Sequence, residues 1–333
     1  MTADRFYLLD NASVGRTPYC MPPTSLYSNR YSILQEPDLV NTSGGKRHSG
    51  PETHKRFRPQ PSTSRLRPFI CSKREQSVDS PKLLVQNVTK TFGSGRQSLE
   101  TLATIDLIVA TGEFVSVIGP SGCGKSTLFN IIAGVEEPTS GTIAIDGEAG
   151  IIRAGKTGYM PQQPLLLPWR TVEENVMLGL DVQRISREKA RHEAHELLKH
   201  FGLAEFAQNY PSTLSGGMRQ RVALLRTVLF NKSFLLLDEP FGALDALTRL
   251  ACQMWLLNLW HEFHSSVLFI THDVREAILL SDRVYVLSAR PARVLRVVDV
   301  DLPRPRQPEH LALAQSVQLE QALMSILMKE QSI

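Results

Sequence analysis

The chain has 333 residues, of which 42% are hydrophobic and 21% charged, enough for one large domain or two modest ones with a real core. No apolar run approaches the roughly 18 residues that cross a bilayer, so a membrane-spanning role is excluded. The formal net charge is +4, but residues 1–80 hold 12 Lys/Arg against 7 Asp/Glu, so the remainder is near neutral and a nucleic-acid partner is not expected.

Residues 1–80 are rich in Ser, Pro, Arg, Asn and Thr and carry no sustained period of 2 or 3.6. Such a segment buries too little apolar surface to offset its ordering entropy, and it reads as a disordered basic extension. It lacks the apolar core of a secretory signal. Its Arg and Ser loosely suit a transit peptide, and its acidic residues oppose that reading. The cysteines, Cys20, Cys71, Cys123 and Cys252, form no C-x-x-C pair. Their spacing suits neither zinc nor a disulfide framework, and a reducing cytosol is the simplest setting.

Order is expected from Lys82. Leu83–Val88 and Ile105–Val109 read as strands, and Phe114–Ile118 as a short buried parallel strand. A helix follows residue 125, with Leu128, Ile131 and Ile132 on one face and Gly134 ending it. Thr171 and Glu174 fit a capping box. Ser186 can cap a helix that places Ala190, Ala194, Leu197 and Phe201 together. Met218–Phe230 and Leu247–Phe263 read as helices, and Phe234–Leu237 and Val267–Ile270 as buried strands. Val284–Leu287 and Val294–Val300 close the strands, and a helical tail is expected over 309–333. Strands alternating with helices imply an α/β fold with a mostly parallel sheet, interrupted by a helical insert at about 160–225.

Gly119-Pro120-Ser121-Gly122-Cys123-Gly124-Lys125-Ser126 matches G-x-x-x-x-G-K-[ST] in full, between a buried strand and a helix. The glycines let backbone N–H groups turn inward around phosphates, and the helix N-terminus, continuing through Thr127, adds partial positive charge. Lys125 suits the β- and γ-phosphates of ATP, and Ser126 offers a hydroxyl to Mg2+. Asp238 and Glu239 directly follow the apolar run Phe234–Leu237. Asp238 suits Mg2+, and Glu239 suits a water to be oriented and deprotonated. His272 follows Val267–Ile270. Ligands bind at the carboxyl ends of strands in open α/β sheets, so the phosphate loop, Asp238-Glu239 and His272 are expected on one edge.

Leu214-Ser215-Gly216-Gly217-Met218-Arg219-Gln220-Arg221 resembles the signature motif of ATP-binding cassette (ABC) proteins. Gly242-Ala243-Leu244-Asp245 resembles that family's D-loop, Gln162 its Q-loop glutamine and His272 its switch histidine. The resemblance covers about residues 82–300 and implies a P-loop NTPase cassette domain over 82–308: a RecA-like, mostly parallel core, an antiparallel β subdomain and an inserted helical subdomain. It also implies a dimer in which the phosphate loop of one copy faces Ser215, Gly216 and Gly217 of a second copy or a homologous cassette. Those three residues precede a helix and could form a second anion-binding turn. The resemblance further implies that Phe92 stacks on adenine, that Asp245 acts across the dimer, and that Gln162 touches Mg2+ or its water.

Gln162-Gln163-Pro164-Leu165-Leu166-Leu167-Pro168-Trp169 offers an apolar patch suited to a helix of a membrane subunit. This run, Ser288-Ala289-Arg290-Pro291 and Leu302-Pro303-Arg304-Pro305-Arg306 resemble the nitrate, sulfonate and taurine importer branch. That branch implies an ATPase at the cytoplasmic face of the inner membrane, working with an integral permease and, indirectly, an extracytoplasmic solute-binding protein. Leu225, Thr227 and Gln163 depart from the family's usual residues. A non-transport cassette acting on nucleic acid or ribosomes is the competing reading, opposed by a single cassette without sustained heptads. A small-molecule kinase would leave Ser215–Gly217 without a task. His192, His195 and Lys199 read as a solvated face, and the His261/His264 pair lacks a third metal ligand.

Overall fold

A computed structural model describes residues 81–150, 153–230 and 233–331; the extension expected to be disordered, residues 1–80, lies outside the described residues. In chain order the strands and helices are β1 (Leu83–Phe92), β2 (Leu99–Val109), β3 (Phe114–Ile118), α1 (Lys125–Ala133), β4 (Ser140–Ile145), β5 (Glu148–Ala149) and β6 (Gly158–Met160). Four helices follow: α2 (Val172–Val176), α3 (Leu178–Val182), α4 (Arg187–His200) and α5 (Gly216–Leu229). The rest is β7 (Phe234–Asp238), α6 (Ala246–Phe263), β8 (Ser266–Ile270), α7 (Val274–Leu280), β9 (Arg283–Leu287), β10 (Val294–Asp299) and α8 (Ala314–Gln331).

Two sheets form. One runs β2-β1-β4-β5, with antiparallel pairs throughout; the other runs β10-β9-β3-β8-β7-β6 and is parallel apart from β10. Every residue of β3, β7 and β8 is buried. Both faces of these strands are covered, so they read as continuous apolar runs rather than alternations. Val115, Val117, Leu236 and Leu268 pack with Leu128, Phe129, Ile131 and Ile132 of α1 and with Leu83, Val85 and Leu107 of the antiparallel sheet. The opposite face, with Phe114, Leu235, Leu237, Val267 and Phe269, packs on the helical layer through Val176, Ala194, Leu197, Val222 and Leu256. A third core under α7 and α8 joins Ile118, Ile278, Val286 and Leu323.

Parallel register fixes the site's edge. Val117 pairs with Ile270, and Ile270 with Asp238. The chain segments leaving β3, β8 and β7 therefore emerge side by side.

Several sequence expectations need adjusting. β1 and β2 run longer than Leu83–Val88 and Ile105–Val109 because irregular pairing between Val85 and Thr91, with Asn87 at φ +50°, breaks the alternation. β4, β6 and α7 were not foreseen: the first half of β4 is exposed and polar, and β6 has three residues. Ser186 stands at the start of α4 but makes no side-chain cap; Thr171 and Glu174 do form the capping box. The helices inserted between β6 and β7 occupy Val172–Leu229, and the C-terminal helix starts at Ala314 after a short 3-10 turn.

Candidate active site

The phosphate loop is built by its glycines. Gly122 and Gly124 have φ of +72° and +122°, and a Cβ on Gly124 would lie 2.8 Å from Leu102 and 3.1 Å from Thr101. Only glycine fits there. Gly124 caps α1 without a side-chain bond, which leaves the first N–H groups of that helix for a ligand. Lys125 is buried, and its ammonium donates to the carbonyls of Gly119 and Pro120 at 2.9 Å each. The Cys123 side chain points into the core, and burial pushes its thiol pKa up. Arg290, on the turn before β10, donates to the carbonyl of Gly122. That turn is tied to β2 by backbone bonds between Ala292 and Thr101 and between Ala103 and Ala292, 2.9 Å each, and to α8 by Ala289 N–H on Glu330 (3.0 Å).

Asp238 ends β7 at 1% exposure, and neither carboxylate oxygen has a hydrogen bond of ordinary length and angle. Burial pushes its pKa up from 3.8 to about 6; the nearby Ser126 hydroxyl and Lys125 ammonium oppose the shift, and adjoining Glu239 adds to it. Two orphaned buried oxygens beside a hydroxyl form a hard donor set of the kind that suits a small divalent cation. No cluster of three or more His, Cys, Asp or Glu that could hold a metal exists among the described residues, so such an ion would also need ligand phosphates or water.

Glu239 adopts φ +48°, a left-handed backbone that costs a non-glycine residue about 1 kcal/mol. Its carboxylate meets two groups. Gln162 donates from Nε2 to Oε2 at 3.3 Å, and His272 Nδ1 lies 3.4 Å from the same oxygen. Behind His272 sits a buried polar network. Glu276 accepts from Gln253 of α6 at 2.7 Å and from the Thr271 hydroxyl, and Thr271 in turn accepts the Asp273 N–H at 3.0 Å. Burial raises the Glu276 pKa against those bonds.

The structure thus brings Glu239, Gln162 and His272 into one contact, and register sets the phosphate loop and Asp238 on the same edge. Phe92 stands 39% exposed at the end of β1, with the Lys90 ammonium 4.8 Å from its ring centre. Ser215 and Asp245 lie elsewhere, each capping a helix: Ser215 accepts the Met218 N–H at 3.2 Å, and Asp245 accepts the Thr248 N–H at 3.0 Å. Among the described residues no hydrogen bond or ion pair joins Ser215–Gly217 to the phosphate loop. Gly217 instead lies against the D-loop backbone; a Cβ there would be 3.1 Å from the Ala243 carbonyl. Sequence reasoning assigned no individual role to Arg290, Gln220 or Glu276; each has a partner distant in the chain, Gly122, Glu239 and Gln253 respectively.

A family model described as ABC transporter matches residues 102–242. An ABC transporter ATP-binding protein of Methanocaldococcus jannaschii is 46% identical over 225 residues, 68% of this chain and 84% of that protein. The chain belongs to the ABC transporter ATP-binding proteins. It is an ATPase cassette of that family, and ATP is its nucleotide. It is also similar to the aliphatic sulfonates import ATP-binding protein SsuB of Bacillus cereus, at 43% identity over 67% of this chain and 87% of that one. The nitrate import ATP-binding protein NrtD of Synechocystis sp. is 42% identical over 66% of this chain and 83% of that one. A solved ATP-binding cassette dimer in a post-hydrolysis state, bound to ADP and Pi, is 35% identical, with a TM-score of 0.62 over 66% of this chain and all of that one.

Proposed function

We propose that this ABC ATPase powers an importer: two cassettes close around ATP, hydrolyse it, and so drive a separate integral permease. The reading rests above all on the Glu239 carboxylate, held against Gln162 and His272 on the edge that carries the phosphate loop. In this reading residues Gly119–Thr127 cradle the phosphates and Lys125 neutralises them, while Phe92 stacks on adenine. Asp238, Ser126 and Gln162 would hold Mg2+, which supplies further charge neutralisation on the phosphate oxygens. Glu239 orients the attacking water and takes its proton as the oxygen–phosphorus bond forms and the bridge to ADP breaks. His272 fixes the carboxylate's aim.

Dimerisation supplies the missing half. Ser215 accepts one N–H of its own helix, which leaves its hydroxyl proton free for a phosphate oxygen. Together with Gly216 and Gly217 it would close on the γ-phosphate held by the partner copy, with Asp245 acting across the same interface. Hydrolysis removes that bridging charge and reopens the dimer. The relatives' names and the solved dimer support this assignment.

Coupling to the permease falls to the turn after Gln162. Leu165 and Trp169 are 62% and 71% exposed. Leu165 has φ +42°, and Arg226 holds the turn by donating to the carbonyls of Pro164 and Leu165 at 2.8 Å each. A rigid turn presenting two large apolar side chains suits a short permease helix. No helix of the described residues is long and apolar enough to cross a membrane. From the import ATP-binding proteins it resembles, we assign the cassette to the cytoplasmic face as a peripheral subunit, with nitrate, a sulfonate, taurine or a similar small solute as cargo delivered by a binding protein. We also assign residues 82–308 to the cassette and 309–333 to a helical tail.

Glu239→Gln tests the chemistry. ATP binding should persist while hydrolysis falls by about 100-fold or more. Hydrolysis near the unmodified rate would sink the assignment.

A further inference from the structure

Glu239 is held by more than its carboxylate contacts. Its N–H donates to the Ile270 carbonyl at 3.0 Å, and its own carbonyl accepts the Gly242 N–H at 3.2 Å. A third bond comes from outside this loop: Gln220 donates from Nε2 to the Glu239 carbonyl at 3.0 Å. Gln220 is 4% exposed and lies in the second turn of α5, the helix that Ser215 caps. Further along α5, six residues or about 9 Å away, Arg226 grips Pro164 and Leu165, just beyond Gln162. One helix therefore bonds to the peptide that carries Glu239 and to the turn beside the glutamine that Glu239 touches.

We propose that Gln220 is a positioning residue for hydrolysis: its amide fixes the left-handed Glu239 peptide to the signature helix and so sets where the carboxylate points. This rests on the assignment of Glu239 to the attacking water. Rotation about the backbone bonds of Glu239 swings its carboxylate relative to Gln162 and His272, and the left-handed region is a narrow well for a residue with a Cβ. The Gln220 bond locks that well from the side of α5. A displacement of Ser215–Gly217 on contact with a phosphate would be carried along α5 to the same chain's own carboxylate. The helix that would sense the partner's nucleotide would then also aim the group that acts on its own.

The test uses the full chain, alone or with its permease. Gln220→Met keeps the length and loses the donor. Gln220→Glu keeps the shape, and it donates only when its carboxyl is protonated. For Gln220→Met we expect kcat to fall about 10- to 100-fold, the size of effect a misplaced reacting group produces. ATP binding, read with a fluorescent ATP analogue, should stay within about two-fold because no phosphate contact is touched. For Gln220→Glu, activity relative to the unmodified chain should rise as pH falls, since burial raises a carboxyl pKa and protonation restores the donor. In a Glu239→Gln background Gln220→Met should cost nothing more.

Unmodified turnover in Gln220→Met would overturn the proposal, as would parallel losses of ATP binding and kcat. So would a Gln220→Glu defect that does not change with pH, which also decides the matter if Gln220→Met fails to fold. If Glu239→Gln itself retains hydrolysis, the assignment of Glu239 fails instead, a result read separately from both Gln220 variants.

Discussion

Asp238→Asn should make the nucleotide-free, metal-free protein more stable while abolishing its activity. The Asp238 carboxyl has a folded pKa of about 6 against an ordinary 3.8. The folded state thus binds its proton more tightly than the unfolded state. The charged form is disfavoured by roughly two pKa units, or about 3 kcal/mol at about 1.36 kcal/mol per unit. That cost is fully present above about pH 6 and is relieved as pH falls toward 3.8. Asparagine removes the charge at constant shape but adds a buried NH2, which costs about 1–2 kcal/mol if it finds no partner. The net gain should be about 1–2 kcal/mol at pH 7.5, or about 2–8 °C in Tm for a domain of this size. Thermal unfolding in EDTA at pH 7.5 and at pH 4.5 measures it, and the advantage of Asp238→Asn should shrink at the lower pH. With Mg2+ and a non-hydrolysable ATP analogue the order should reverse, because only the carboxylate gains the ion. A lower Tm for Asp238→Asn at pH 7.5 without metal would refute the reasoning.

Removing the Glu276 carboxylate by Glu276→Ala orphans the Gln253 amide and the Thr271 hydroxyl; it should cost about 2–4 kcal/mol in a denaturant titration, and Glu276→Gln clearly less. Arg290→Ala frees the Gly122 carbonyl and loosens the phosphate loop. KM for ATP should rise about three- to ten-fold with kcat nearly unchanged, a split that steady-state kinetics resolves. Cys123 lies inside the phosphate loop, yet at 1% exposure, with burial raising its thiol pKa, it is shielded from thiol reagents. Mass spectrometry after brief treatment with a bulky maleimide at pH 7 should find Cys123 unmodified and ATP binding intact.

The phosphate loop, Asp238-Glu239 and His272 were legible because each is a short run of residues at the end of an apolar strand, and parallel register alone brings such ends together. The capping box at Thr171 and Glu174 was legible for the same local reason. What could not be read depends on contacts across the chain. Gln220 and Glu239 are 19 positions apart, and Gln253 and Glu276 are 23 apart; no spacing rule joins them. The left-handed turn at Glu239 was equally hidden, since glutamate is not a residue that signals positive φ. β6 escaped because three residues carry no period, although pairing with β7 makes it the edge of the sheet.

Mixing two disabled chains tests the shared-nucleotide account most directly. Lys125→Ala removes one phosphate grip, and Ser215→Arg blocks the turn proposed to close from the partner. Each chain alone should be inactive. In a mixed dimer both defects fall on one composite site and leave the phosphate loop and closing turn of the other intact, so hydrolysis should return, to no more than half the unmodified rate per mixed dimer. No recovery, with mixed dimers demonstrated in the sample, would mean that each nucleotide is served by one chain only.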